Sequence, residues 1–235
     1  MNYGAVIVAA GRGERLGLGV PKALAEIESV SLVAMSAWAL AQAPELKTIV
    51  VVAPRGFVEE TKNSIERWRI PKIAEFVPGG EFRQDSVRAG LDALPAEIDA
   101  VLIHDGARCL VNVDLVERVM SAMRIHDAVL PALPITDTLH TNEDGYAQPA
   151  PERSTLVRAQ TPQGFIRRVL EEALRIGGDG WQRSTDETAL VRETVKEAAF
   201  LVEGDETNVK ITSPVDLLIY MDLLKMRSSH IKEDA

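Results

Sequence analysis

Cysteine is nearly absent from this sequence of 235 residues, in which Cys109 is the single example. One cysteine cannot form a disulfide within the chain, and a zinc site built from several thiolates is excluded. Long apolar runs are missing too, because no stretch of 18 residues is apolar enough to span a membrane. The N-terminus begins with a strand-like segment instead of a signal peptide. These absences predict a cytoplasmic protein with no membrane partner.

Basic residues are in a minority, with 26 Lys and Arg against 35 Asp and Glu, which gives a formal net charge of −9. This balance argues against a general nucleic-acid-binding surface. An anionic small-molecule ligand would therefore have to be bound by a local cluster of arginine and lysine. Apolar residues make up 46% of the chain, which is enough for one sizeable core, so we expect a single domain over residues 1–235.

Apolar strand-like runs alternate with helix-like segments over the first half of the sequence. Strands are predicted at Gly4–Ala10, Lys47–Ala53, Ala74–Gly80, Asp99–Arg108 and Asp127–Leu133. Helices are predicted at Ser31–Gln42, Phe57–Trp68, Arg83–Leu94 and Val113–His126. Because most strand segments are nearly continuous apolar runs, the pattern predicts an α/β fold with a Rossmann-like, mostly parallel, doubly wound sheet. In such a sheet the ligand binds beyond the carboxyl ends of the strands.

The pattern changes between about residues 134 and 161, where polar and apolar residues alternate. Asp144–Gly145 suits the tip of a β-hairpin, so this segment is predicted to form a protruding β-arm. A two-stranded ribbon is marginally stable alone, and we therefore expect the arm to pack on a second copy of the chain. After the arm we predict, in order, a helix at Phe165–Ile176, a strand at Ala199–Val202, a short strand in "NVKIT" and a helix from Ser213.

A glycine-rich, basic loop, "AAGRGERLGLGVPK", follows the first predicted strand. Gly11 and Gly13 fit a dinucleotide-binding fingerprint, but its third glycine position holds Leu16, and the later glycines and proline disfavour the helix that this fingerprint needs. A Walker P-loop is excluded because no G-x-x-x-x-G-K-[ST] occurs. A solvated surface loop is one alternative. We favour a loop that wraps a triphosphate with inward backbone N–H groups, while Arg15 and Lys22 supply positive charge.

Polar side chains also follow the third and fourth predicted strands. In "PGGEFRQDSVRAGL", either Ser86 hydrogen-bonds a base or ribose, or the segment is an ordinary helix start with Arg83 in solvent. In "VLIHDGARC", Asp105 suits Mg²⁺, which favours one or two carboxylates together with phosphate oxygens. His104 is expected to be a packed, orienting residue because Mg²⁺ prefers oxygen ligands. Arg108 could pair with a substrate phosphate through its planar guanidinium.

Lys210 lies in "TNVKIT", within the last short strand predicted. An isolated lysine at this position is either a charge on an edge strand or a rigidly held charge that stabilises a reacting group. The local sequence does not decide between these two interpretations.

The motif A-A-G-x-G-x-R-[ML] followed by P-K resembles the signature loop of sugar-type nucleotidyltransferases. Further motifs occur in the order seen in the 2-C-methyl-D-erythritol 4-phosphate cytidylyltransferase family of the non-mevalonate isoprenoid pathway: "GGEFRQDSVRAGL", "HDGAR", "TDT…PERSTLVRAQTPQ", "STDET" and "VEGDETNVKIT". The resemblance covers nearly the whole chain. It implies a fold of the nucleotide-diphospho-sugar transferase type. It also implies transfer of CMP from CTP to methylerythritol phosphate, with Mg²⁺ or another divalent cation as cofactor.

The resemblance further implies a role for each matching residue. Arg15 and Lys22 match the pair that holds CTP and stabilises the transition state, and Lys210 is assigned to catalysis with them. The nucleotide-binding positions are Ala9, Ala10, Gly11, Gly13, Gly80, Glu81, Arg83 and Ser86. The positions around the methylerythritol phosphate are Arg108, Thr138, Arg153, Thr161 and Lys210, and the Mg²⁺ ligand is Asp105. In this family the arm that carries Thr138 and Arg153 reaches across a homodimer and completes the partner's site.

The chain departs from the family pattern at several positions. Ala23 stands where the family often has glutamine, Gly106 and Cys109 replace the commoner residues of "HDAARP", and the tryptophan of L-W-x-A-x-T-P-Q is absent. None of these changes removes a charged group that the chemistry needs. A cytidylyltransferase for another polyol phosphate, such as ribitol 5-phosphate, is the alternative enzyme. A nicotinamide-dependent oxidoreductase and a catalytically silent nucleotide-binding module are alternatives of other classes.

Overall fold

The computed structural model describes residues 1–11, 19–178 and 186–233. Within these residues the strands are β1 (Tyr3–Val8), β2 (Glu26–Ile27), β3 (Val30–Ser31), β4 (Leu46–Ala53), β5 (Ile73–Pro78), β6 (Ala100–Asp105), β7 (Ala128–Pro134), β8 (His140–Glu143), β9 (Tyr146–Pro149), β10 (Val157–Ala159), β11 (Gln163–Ile166) and β12 (Phe200–Glu203). The α-helices are α1 (Leu32–Ala41), α2 (Val58–Glu66), α3 (Arg83–Asp92), α4 (Val113–Ala122), α5 (Arg167–Gly177), α6 (Glu187–Thr194) and α7 (Pro214–Glu233). None of these helices has the length and apolar character that crossing a membrane requires.

The main sheet has the strand order β5–β4–β1–β6–β11–β7–β12. Strand β1 lies between β4 and β6 and pairs with both in parallel, and β12 pairs with β7 in parallel. Strand β11 is antiparallel to both of its neighbours, and β10 continues the same antiparallel run along β7. The predicted α/β fold with a mostly parallel sheet is therefore confirmed, with β11 inserted as an antiparallel strand.

The central strands are continuous apolar runs because helices cover both faces of the sheet. Along β1, Ala5 and Ile7 pack in a core with α1 and α4, whereas Val6 packs in a second core with α3, α5 and α6. Every residue of β6 is buried. The side chains alternate between the two cores with the two-residue period of a strand. Both faces of each central strand are therefore buried, and both are apolar.

Two predictions for the second half of the chain are wrong, and two elements there were not predicted. The segment predicted as a helix from Phe165 begins as strand β11, and α5 follows it. Residues 208–212, all of which are described, form no strand. This segment is attached to the loop after β6 by a hydrogen bond from the Ile211 N–H to the Ala107 carbonyl at 2.9 Å. Helix α6 and strand β10 have no counterpart in the sequence predictions.

The hairpin is present where the turn residues predict it. Strands β8 and β9 pair in antiparallel orientation and are joined by Asp144 and Gly145, whose φ angles are 49° and 88°. Positive φ at both central residues is the requirement of the tight type I′ hairpin turn. All eight residues of the two strands are exposed in the single chain, four in each strand. The arm thus extends from the sheet without a core of its own.

Candidate active site

The residues that follow β1, β5 and β6 surround a cavity of about 210 Å³ at the carboxyl edge of the sheet. This edge is where a doubly wound sheet binds its ligand. Ten residues predicted for the site line the cavity: Ala9, Ala10, Gly11, Lys22, Gly80, Glu81, Arg83, Ser86, Asp105 and Lys210. Two other predicted residues, Gly13 and Arg15, lie outside the described residues.

Small residues bring two of the loops around the cavity into direct contact. A Cβ atom added at Gly79 would overlap the Cβ of Ala10, so a larger residue cannot replace this glycine without moving the loop after β1. The Gly80 N–H donates to the Ser86 hydroxyl at 3.1 Å, and that hydroxyl donates to the Phe82 carbonyl at 3.3 Å. The structure thus places Ser86 at the cavity wall with its hydroxyl engaged in shaping the loop.

The Asp105 carboxylate lies at the end of β6 and pairs with cations from two directions. Arg83 Nη1 lies 2.7 Å from one carboxylate oxygen, and Lys210 Nζ lies 2.6 Å from the other. Arg108 Nε is 4.0 Å from the same oxygen as Lys210. Burial alone would raise the pKa of the Asp105 carboxyl, but the charges of Arg83 and Lys210 outweigh burial and hold this pKa well below its usual range. The carboxylate is therefore ionised at any physiological pH.

Arg83 is held in a bidentate ion pair that the sequence analysis missed. Its Nε and Nη2 atoms donate to the two carboxylate oxygens of Glu187, each at 3.0 Å. The Glu187 side chain is completely buried, and 23% of the Arg83 side chain is exposed. The interpretation of Arg83 as a solvated residue at a helix start is thus wrong. The Glu187 carboxylate lies at the first position of α6, and 104 residues separate it from its partner.

A buried histidine and threonine support Asp105 from behind. The Thr161 hydroxyl oxygen accepts the Asp105 N–H at 3.0 Å and lies 3.1 Å from His104 Nδ1. Because Thr161 already accepts one proton, we assign its own proton to the bond with Nδ1. The imidazole proton is then on Nε2, which lies 3.2 Å from the Arg108 carbonyl. Burial lowers the pKa of His104 to about 4, which agrees with a neutral ring.

Lys210 is positioned by an irregular segment and not by an edge strand. The Asn208 side chain, which is fully buried, donates to the Thr161 carbonyl at 2.8 Å, and the Ile211 N–H donates to the Ala107 carbonyl at 2.9 Å. These two bonds lie on either side of Lys210 and attach its backbone to the floor of the site. The edge-strand interpretation of Lys210 is therefore wrong, and 40% of its side chain is exposed beside the cavity.

Arg108 and Cys109 follow Asp105 in the same loop. Arg108 donates to the Asn208 carbonyl at 2.7 Å and to the Ala159 carbonyl at 3.1 Å, and 12% of its side chain is exposed. Cys109 is buried with its Sγ atom 3.3 Å from the Leu32 carbonyl, and burial raises the pKa of the thiol to about 12. Because a thiolate is the reactive form, Cys109 is an inert packing residue.

The two predicted site residues on the arm do not line the cavity. Thr138 is exposed, and Arg153 donates to the Thr136 carbonyl at 2.8 Å at the base of the arm. Arg153 lines a separate cavity of about 650 Å³ between the arm and β12. One copy of the described chain therefore brings ten predicted residues to the cavity, with Thr161 and Arg108 behind it, and leaves Thr138 and Arg153 elsewhere.

The family model for 2-C-methyl-D-erythritol 4-phosphate cytidylyltransferase matches residues 4–225. The chain belongs to this family. A member from Streptomyces avermitilis is 42% identical over an alignment of 233 positions, which covers 95% of this chain and 92% of that one. A member from Trichormus variabilis is 38% identical over 226 residues and is covered to 98% of its length.

Solved structures of the same family have the same fold. The 4-diphosphocytidyl-2C-methyl-D-erythritol synthase of Anaerococcus prevotii superposes with a TM-score of 0.80 at 25% identity, over 95% of this chain and 98% of that chain. The 2-C-methyl-D-erythritol 4-phosphate cytidylyltransferase of Thermus thermophilus gives a TM-score of 0.74 at 30% identity, over 94% of this chain and 98% of that chain. The Rossmann-like nucleotidyltransferase fold is thus shared over nearly the full length.

Proposed function

We propose that this protein is a cytoplasmic enzyme that transfers CMP from CTP to 2-C-methyl-D-erythritol 4-phosphate. The products are 4-CDP-2-C-methyl-D-erythritol and pyrophosphate, and the reaction belongs to isoprenoid precursor biosynthesis. The observation that carries this proposal is the set of cations at the carboxyl edge of the sheet, in a chain of this family. Lys22, Arg83 and Lys210 line one cavity of a protein whose net charge is −9.

The nucleotide is proposed to lie against the loops after β1 and β5. Ala9, Ala10 and Gly11 follow β1, and Gly80 and Glu81 follow β5. Small side chains let a ligand approach the main chain closely, so that backbone N–H groups can hold its polar atoms. Gly13 and Arg15 belong to the same loop in sequence and are proposed to act on the phosphates.

The reaction itself needs charge stabilisation more than a base. A phosphate oxygen of the acceptor attacks the α-phosphorus of CTP in line with the leaving pyrophosphate. This nucleophile is already ionised at pH 7, so the main obstacle is the approach of two anions. Two unit charges about 4 Å apart repel by roughly 4 kcal/mol at an effective dielectric constant of about 20. Lys22, Lys210 and Arg15 are proposed to offset this repulsion and the charge that develops at the α-phosphorus.

Asp105 is the residue proposed to hold Mg²⁺. Among the described residues, no group of three or more His, Cys, Asp or Glu side chains is placed to hold a metal ion. A single carboxylate fits Mg²⁺, which commonly takes one or two carboxylates and completes its shell with substrate phosphates and water. A carboxylate has about four acceptor positions, and the close bonds to Arg83 and Lys210 use two of them. When bound, the ion would neutralise phosphate charge.

The acceptor phosphate is proposed to lie near Arg108, Thr161 and Lys210, with Thr138 and Arg153 supplied by the arm of a second copy. The exposed hairpin supports a homodimer, because a two-stranded ribbon needs a surface to pack on. The position of Arg153 away from the cavity within one chain also supports this arrangement.

Pyrophosphate release from CTP and Mg²⁺ tests the function directly. Methylerythritol phosphate, ribitol 5-phosphate and no acceptor are compared at equal concentrations. We expect release with methylerythritol phosphate alone. Release with ribitol 5-phosphate alone would reassign the acceptor while keeping the nucleotide site, and release with neither acceptor would refute the assignment of the loop at Gly11 to CTP.

A further inference from the structure

A completely buried carboxylate lies directly behind the nucleotide cavity. Glu187 begins α6, whose N-cap residue Asp186 accepts the Ala189 N–H at 2.9 Å. The Glu187 carboxylate has no solvent exposure and makes both of its bonds to Arg83, at 3.0 Å each. Nothing in the catalytic scheme above uses this residue.

Fold stability alone explains the Glu187–Arg83 pair poorly. Removing two charges from water costs several kcal/mol per ion, and replacing a buried ion pair by apolar residues of similar volume is often neutral or stabilising. What a bidentate pair does provide is orientation, because two parallel hydrogen bonds fix the plane of the guanidinium. Without Glu187, the long side chain of Arg83 would have many rotamers available.

The orientation of Arg83 matters because its other side reaches the reaction site. A guanidinium has five N–H groups. In the described structure, two of these bind Glu187 and one binds Asp105 at 2.7 Å. Arg83 also lines the cavity with 23% of its side chain exposed. Glu187, Arg83, Asp105 and Lys210 therefore form an uninterrupted row of alternating charges that ends at the cavity.

We propose that Glu187 is a positioning residue, which acts through Arg83 to hold a guanidinium N–H group and the Asp105 carboxylate in place for the phosphates of the nucleotide. This proposal rests on the proposed cytidylyltransferase function. It assigns a role to the "STDET" segment, of which Glu187 is the fourth residue. Glu187 itself does not contact the substrate.

The Glu187→Gln variant keeps the shape of the side chain but replaces one of the two acceptors by a donor. We expect kcat/KM for CTP to fall about 10- to 100-fold, as for other residues that orient a ligand-binding group from behind. CTP binding, measured by calorimetry without acceptor, should weaken in parallel. The matched control is Glu171→Gln on α5, where an exposed carboxylate pairs with Arg167 at 2.7 Å. We expect this control to have wild-type values.

A double-mutant cycle separates positioning from a general loss of structure. If Glu187 acts through Arg83, Glu187→Gln should change CTP affinity and turnover less than about twofold in the Arg83→Met background. Glu187→Asp, which keeps the charge, should recover part of the loss. Additive effects of the two substitutions, or a lower melting temperature with unchanged CTP parameters, would overturn the proposal. Wild-type protein that releases no pyrophosphate would instead refute the function, so the two failures are distinguishable.

Discussion

At the scale of single residues, Asp105 keeps several cations together that would otherwise repel one another. Arg83 and Lys210 lie on opposite oxygens of this carboxylate at 2.7 and 2.6 Å. In the cavity proposed to bind the nucleotide, this fixed negative charge would hold the positive groups in place before a ligand binds. This pre-arrangement lowers the reorganisation that would otherwise accompany charge development.

Lys22 offers a direct test of charge stabilisation. It begins a short 3₁₀ turn, Lys22–Leu24, that follows Pro21, and it lines the cavity. By analogy with other preorganised donors, Lys22→Ala should lower turnover about 10²- to 10³-fold in the pyrophosphate-release assay. Lys62→Ala, which removes an exposed lysine on α2, serves as the control and should be active. Near-normal turnover of Lys22→Ala would remove this residue from the mechanism.

His104 predicts how stability depends on pH. Its pKa is about 4 in the folded protein and 6.5 in the unfolded chain, so only the unfolded state takes up this proton between those values. Stability from this group is complete above about pH 6.5 and is lost as pH falls towards 4. The loss is about 3 kcal/mol at 1.36 kcal/mol for each pKa unit. Urea unfolding between pH 7 and 4 should show this loss in the wild type.

Two variants assign that pH dependence to a residue. In His104→Gln the loss of stability between pH 7 and 4 should be smaller than in the wild type. In His140→Gln, which changes an exposed histidine on β8, it should equal the wild-type loss. An unchanged slope in His104→Gln would show that another group takes up the proton.

The sequence was informative for residues that follow strands and uninformative for their long-range partners. Asp105 and Gly80 are visible as candidates because each ends or follows an apolar run, and parallel strands bring such ends to one edge. Glu187 is 104 residues from Arg83 and lies in an ordinary helix start, so no local pattern indicates their contact. Its one local signal is a second acidic residue directly after the N-cap Asp186.

At the scale of the elements, α3 depends on a close approach to the sheet. Gly90 lies in the last turn of this helix, and a Cβ atom there would overlap Val6 Cγ1 and lie 2.8 Å from Val52 Cγ2. Both valines are fully buried in strands of the sheet. The helix carries Arg83 and Ser86, so its distance from the sheet also sets the position of the cavity wall.

We expect Gly90→Ala to destabilise the protein, although helix propensity alone would favour alanine. Alanine is favoured over glycine by about 1 kcal/mol in a helix, yet overpacking a core costs about 1–3 kcal/mol. We expect a net destabilisation, measured by urea unfolding. Val6→Ala removes the closer of the two overlaps, so the double variant should be more stable than the sum of the single effects predicts. A more stable Gly90→Ala protein would contradict this account of the packing.

Element types were predicted well where a segment is long and apolar, and poorly where tertiary pairing decides. Strand β11 has four residues, and its "QGFI" runs straight into the helical pattern of α5, so the two read as one helix in sequence. The segment 208–212 contains β-branched residues, but its Ile211 N–H donates to the Ala107 carbonyl in the loop after β6 instead of to a neighbouring strand. In both places the partner strand or loop, and not the local sequence, determines the conformation.

At the scale of the whole molecule, the proposed role of the arm predicts that two inactive variants can complement each other in a mixed dimer. If the arm completes the partner's site, a mixture of Lys22→Ala and Arg153→Ala chains should regain activity that neither has alone. Mixed dimers then contain one site with an intact Lys22 and an intact Arg153. After co-expression we expect about a quarter of wild-type activity, since about half of random dimers are mixed and each has one working site of two.

The same experiment has a clear negative outcome. If Arg153 acts within its own chain, mixing cannot restore activity, because every site would lack one of the two residues. Mixing Lys22→Ala with Lys210→Ala chains is the control. Both lysines line the same cavity of one chain, so each site of a mixed dimer still lacks one of them. The mixed dimer of this pair should stay inactive.

The tight contact between the loops after β1 and β5 limits the substitutions that could make the protein resistant to an inhibitor bound there. A compound that binds the main-chain atoms of this wall would not depend on side chains that mutation can exchange. Gly79 cannot enlarge without overlapping Ala10, and a Cβ at Gly80 would overlap Asp85. Substitutions that exclude the compound by bulk would therefore also disturb the wall proposed to bind the nucleotide, so resistance at these two glycines should lower activity.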